Sequence, residues 1–122
     1  MTSGVKDGVE KKPTFAAFIA RAGEEHGRLS QTPKDYDGFV EQISHMWASQ
    51  PNWTDAQLRA IEPLILVVDG DYDEAITREH TEVIAATVPG AGLLILPYAS
   101  HFAFLQDTAL FNAALLNFID AR

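Results

Sequence analysis

The chain has no cysteine. That removes disulfides, thiolate metal sites and a cysteine nucleophile together, and it agrees with a cytoplasmic setting. Basic charge is scarce: nine Lys and Arg face seventeen Asp and Glu, a net charge of −8. Such a surface repels a phosphate backbone, and no basic stripe interrupts it, so nucleic acid is not an expected partner. No apolar run approaches the ~20 residues needed to cross a bilayer. Residues 2–12 also lack the apolar centre of a secretion signal. A membrane is therefore not an expected partner either. Repeats and low-complexity segments are missing as well. What is abundant is apolar side chain, 47% of 122 residues, which suits one globular domain.

Residues 1–12 contain Gly4, Gly8, three lysines and little to bury, and read as a flexible entry. Pro13 suits a first helical position. Phe15, Phe18, Ile19 and Ala22 then recur at helical spacing, with Gly23 or Gly27 as the expected stop. Over residues 33–50, Tyr36, Phe39, Val40, Ile43, Met46 and Trp47 form one helical face. Thr54 to Gln57 is a capping-box pattern opening a short helix with Leu58 and Ile61. The first half is a helical cluster without a strand.

The pattern changes at Pro63. Leu64 to Val68 and Leu93 to Leu96 are short apolar runs, as expected of strands covered on both faces. Between them, residues 78–88 read as a helix with Val83, Ile84 and Val88 inward. Asp107 is placed to cap a final helix carrying Leu110, Phe111, Ala114, Leu115, Phe118 and Ile119. The order β-α-β-α implies a parallel pair with a right-handed crossover, hence an α/β fold class. Two such strands do not make a self-sufficient sheet, and an uncovered apolar edge invites another chain. Completion by a homodimer or by a separate polypeptide is expected.

The first strand ends in Asp69-Gly70-Asp71-Tyr72-Asp73-Glu74, the second in Pro97-Tyr98-Ala99-Ser100-His101-Phe102. Active sites of open α/β sheets lie at such C-terminal strand ends. An acid loop, a helix, a His-Phe loop and an Asp-capped helix, in this order and spacing, resemble the C-terminal portion of the α/β-hydrolase superfamily. The resemblance covers residues 62–122. Residues 13–61 then look like that family's lid or cap helices. It implies Asp73 as the acid and His101 as the histidine of a catalytic triad, with Asp71 the nearby alternative for the acid. In such a triad the acid orients the imidazole and the imidazole shuttles the nucleophile's proton. It also implies that Tyr36, Phe39, Trp47 and Phe102 line a pocket for a small, apolar, ester-like ligand; helical core packing is the competing role for the first three.

The family's nucleophile sits in a Gly-x-Ser-x-Gly elbow, and this sequence has none. Its serines are Ser3, Ser30, Ser44, Ser49 and Ser100, and Ser100 adjoins His101. The expected partner is accordingly an N-terminal hydrolase half, and the chain alone is expected to be inactive. A truncated, non-catalytic dimer or ligand binder, or a start inside a longer gene, fits the same sequence. No cofactor is implied. Asp69, Asp71 and Asp73 have the spacing that opens a calcium loop, but Glu74 and His80 stand where that loop needs glycine and glutamate, so no metal site is expected.

Overall fold

The computed structural model describes residues 4–121. Helix α1, Pro13–Leu29, begins at its proline and runs through both glycines. Each glycine costs a helix about 1 kcal/mol, short of a stop. Gly23 also has a packing reason: a Cβ there would come within 3.2 Å of the Tyr36 ring. That ring belongs to α2, Tyr36–Ser49, and its hydroxyl donates to the Ile19 carbonyl at 3.1 Å. The bare glycine thus lets α2 lie close against α1. Thr54 and Gln57 form the expected capping box on α3, Asp55–Arg59.

Strand β1 is Leu66–Gly70 and β2 is Gly92–Leu96. They pair in parallel, Leu66 opposite Gly92 and Gly70 opposite Leu96. Among the described residues this is a two-stranded sheet. The crossover is α4, Arg78–Thr87. Its inward face differs from the expected one: Val83 is exposed and Thr81 buried. After β2 the chain makes a short helix α5, Ala103–Gln106, then α6, Thr108–Asp120. Asp107 caps α6 as expected, its Oδ1 accepting the Leu110 amide at 3.0 Å.

The core is small. Leu96, Ala99 and Ala103 are its buried centre, with Val68, Leu94 and Phe111 packed around them. The strands are half-buried along much of their length rather than sealed on both faces. An apolar cavity of about 200 Å³ lies beside this core, lined by Leu66, Val68 and Leu94 of the sheet and by Phe111, Ala114, Leu115 and Phe118 of α6. Leu64 ahead of β1, Leu93 of β2, and Leu116 and Ile119 of α6 are exposed, so apolar surface remains uncovered. No helix among the described residues is long and apolar enough to cross a membrane.

The N-terminal segment departs from the flexible entry expected of residues 1–12. Residues 1–3 lie outside the described residues. Val5 forms an antiparallel bridge with Ile76. The Lys6 amide donates to the Ala75 carbonyl at 2.7 Å, and the Thr77 amide to the Gly4 carbonyl at 2.8 Å. A 3-10 turn, Val9–Lys11, leads into α1. The segment is laid along the acid loop by backbone bonds, which composition does not advertise.

Candidate active site

Both strands end beside each other, and their loops are bonded together. The Asp71 amide donates to the Leu96 carbonyl at 2.9 Å, and the Tyr72 amide to the Ala99 carbonyl at 2.8 Å. Glu74 Oε2 accepts the His101 backbone amide at 3.0 Å. Gly70 makes this approach possible: a Cβ there would meet the Ser100 and Ala99 carbonyl oxygens at 2.3 and 2.4 Å. No L side chain fits such a contact.

Asp73 and His101 meet across the joined loops. Asp73 Oδ2 lies 2.9 Å from His101 Nδ1. The other oxygen, Oδ1, accepts the amides of Ala75 at 2.6 Å and Ile76 at 2.7 Å. Asp73 is buried at 6% exposure. Burial alone would push its carboxyl up, but the bonds from His101, Asp69, Ile76 and Ala75 outweigh it and hold the group well below the usual carboxylate range. His101 is shifted upward, chiefly by its bond to Asp73, with burial opposing and the charges of Asp73, Glu74 and Asp69 assisting. A carboxylate at Nδ1 fixes a proton there, so Nε2 is the acceptor of the neutral ring. Such an arrangement can act chemically as an oriented general base.

Asp71, the alternative acid, faces elsewhere. Its carboxylate pairs with Arg78 Nη2 of α4 at 2.6 Å, at the surface. The acids of this turn diverge: Asp69 toward Thr81, Asp71 toward Arg78, Asp73 and Glu74 toward His101. Among the described residues no group of three or more His, Cys, Asp or Glu could hold a metal ion.

The expected pocket residues separate. Phe102 is buried beside the site, edge-on to His101 at 5.2 Å. Tyr36 and Phe39 pack with each other and with His26 between α1 and α2. Trp47 is exposed. The rings that accompany the histidine instead come from α1: Phe15 lies 6.1 Å from His101, and Phe18 stacks on Phe102 at 4.2 Å. Their helical spacing marked them as a packing face and gave no sign of what they pack on. An open cavity of about 420 Å³ runs between Lys6, Asp7 and Lys12 and the acid loop. Its lining is charged, and His101 does not line it.

Neither a protein-family model nor a curated protein matches the chain. Solved structures do. A carboxylesterase from Bacillus subtilis matches with a TM-score of 0.57 and 23% identity, over 60% of this chain and 26% of that one. A thermophilic esterase from Thermogutta terrifontis matches with a TM-score of 0.58 and 19% identity, over 98% of this chain and 53% of that one. A hydrolase from Pseudomonas aeruginosa matches with a TM-score of 0.53 and 22% identity, over 97% of this chain and 52% of that one. The chain thus spans between 26% and 53% of the length of these structures. Its parallel strand pair, crossover helix and flanking helices have the fold of a C-terminal portion of an α/β-hydrolase.

Proposed function

We propose that Asp73 and His101 are the acid and general base of a hydrolytic site for esters, and that the nucleophile comes from polypeptide outside this sequence. The observation that carries the reading is the 2.9 Å bond between a buried aspartate and an imidazole at adjacent strand ends. The solved structures that share the fold and are described as esterases support the choice of substrate class. In this reading Asp73 keeps the proton of His101 on Nδ1, and Nε2 takes the proton of an incoming serine. The same nitrogen then activates the water that clears the acyl-enzyme. The backbone amides that stabilise the oxyanion would come with the serine's elbow. Residues 13–61 are a lid in this scheme, its Phe15 packing on His101 and its Phe18 on Phe102 beside it.

The test is co-expression. A polypeptide carrying Gly-x-Ser-x-Gly, encoded upstream of or beside this chain, should give turnover of a nitrophenyl ester that is lost in His101→Ala. This chain by itself should stay near background. Turnover by the isolated chain that vanishes in His101→Ala would overturn the need for a partner. Flanking frames without any such elbow would remove its source.

The exposed Leu64, Leu93, Leu116 and Ile119 favour a second reading, a non-catalytic homodimer in which a second copy covers apolar surface. Light scattering at low micromolar concentration decides it: a stable monomer with cooperative unfolding ends the dimer reading.

A further inference from the structure

Two consecutive residues of the acid loop grip one histidine. Asp73 holds its ring, Oδ2 lying 2.9 Å from Nδ1, and Glu74 holds its main chain, Oε2 accepting the His101 amide at 3.0 Å. The bonds from Asp71 and Tyr72 stop short of it, at the Leu96 and Ala99 carbonyls. Ser100, one residue earlier, is held by Gln106 of α5, whose Oε1 accepts its amide at 2.7 Å. Asp73 and Glu74 thus set the turn of the imidazole and the place of the backbone that carries it.

One oxygen suffices to accept one amide, and Glu74 has two. Its Oε1 is buried and accepts no hydrogen bond among the described residues. A neutral acceptor would make the same backbone bond without burying a charged group in this way. The surplus negative charge acts on the imidazole together with those of Asp73 and Asp69. The cations nearby have other engagements or face the open side. Arg78 of α4 pairs with Asp71, and Lys6 Nζ donates to the Asp73 carbonyl. Lys6, Lys12 and Asp7 share the open charged cavity with Glu74. Helix α1 presents to the histidine the neutral ring of Phe15, and Phe102 adds another.

We propose that Glu74 is a positioning residue for the candidate base: Oε2 latches the histidine's main chain to the acid loop, and the carboxylate adds a second negative charge, beside that of Asp73, for the imidazolium that forms when Nε2 takes a proton. This role deepens the proposed function and rests on that reading for its significance. The bonds that carry it, and their test, stand apart from any esterase activity.

The experiment compares the full chain with Glu74→Gln and Glu74→Ala by NMR, reading the His101 imidazole midpoint and the exchange of the His101 amide. Amides of β2 serve as the reference for global opening. Glu74→Gln keeps an acceptor and loses the charge. Its His101 amide should stay protected within about twofold of the original, while the imidazole midpoint falls by about 0.4 pH units or more. Glu74→Ala loses both, so protection of the His101 amide should drop about fivefold or more relative to β2, and the midpoint should fall as well. An unmoved midpoint in Glu74→Gln overturns the proposal, because a purely structural latch would behave that way. Unchanged protection in Glu74→Ala, or a loss shared equally by β2, overturns the latch. Protection lost as fully in Gln as in Ala does the same. Should Glu74→Ala fail to fold, the Gln variant still decides through both readouts. An assembled hydrolase without ester turnover would count against the proposed function and leave these readouts untouched.

Discussion

Asp73→Ala is the most informative single change, because this carboxylate braces two turns at once. The substitution removes acceptors for the Ala75 and Ile76 amides and for His101 Nδ1. Ala75 is 4% exposed, so its amide finds little water, and a stranded buried donor costs about 1–3 kcal/mol. Ile76 is half-buried and His101 keeps 35% of its side-chain surface exposed. Solvent therefore recovers part of those two bonds, leaving about 0.5–1 kcal/mol each. Relief from burying a charge offsets some of the sum. The net expectation is a loss of about 2–3 kcal/mol, a fall in Tm of about 8–12 °C for a domain of this size. Asp73→Asn, which retains an oxygen for the backbone donors, should lose only about 1 kcal/mol. Urea unfolding at pH 7, followed by the fluorescence of Trp47 and Trp53, measures both, and an unchanged m-value keeps the comparison valid. An alanine variant within about 0.5 kcal/mol of the original protein would refute the accounting. So would an asparagine variant as damaged as alanine.

Two further outcomes follow. The raised His101 midpoint contributes stability that is complete below the unfolded value of 6.5 and is lost as pH rises through the folded value. The lowered Asp73 midpoint acts oppositely, stabilising above 3.8 and failing only in strong acid. Urea midpoints should therefore be higher at pH 5.5 than at pH 8.5, and the difference should shrink in His101→Gln; an equal difference in both proteins would contradict the Asp73–His101 linkage. Gly70→Ala should cost more than about 3 kcal/mol, because its Cβ would strike two backbone carbonyls that cannot swing aside; a folded variant of near-original Tm would show that the loops do not meet there.

The features legible in the sequence were those written in local chemistry. The Thr54 box, the Asp107 cap, the Pro13 start and the two apolar strand runs each carry their signal within a few residues. What escaped depends on distant partners. Strand β1 begins two residues later than its apolar letters suggest and ends two residues later, its ladder to β2 running through Asp69 and Gly70 opposite Ile95 and Leu96. Helix α4 turns Thr81 inward because buried Asp69 bonds its hydroxyl, and Val83 is left outside. The bridge between Val5 and Ile76 has no local motif, so the entry segment read as loose. Asp73 and His101 could be singled out because each follows a strand end, and the structure brings them together. The aromatic wall could not, since Phe15 reaches His101 and Phe18 reaches Phe102 only through the placement of α1.

The loop-to-loop bonds around Gly70 have a practical corollary. Asp71 to Leu96, Tyr72 to Ala99 and Glu74 to His101 are all cross-braces internal to residues 70–101. Carboxylate and imidazole therefore owe their spacing to bonds made inside one short stretch of chain. If the proposed function holds, a complementing polypeptide would find that spacing already set and would have to contribute the serine and its oxyanion amides.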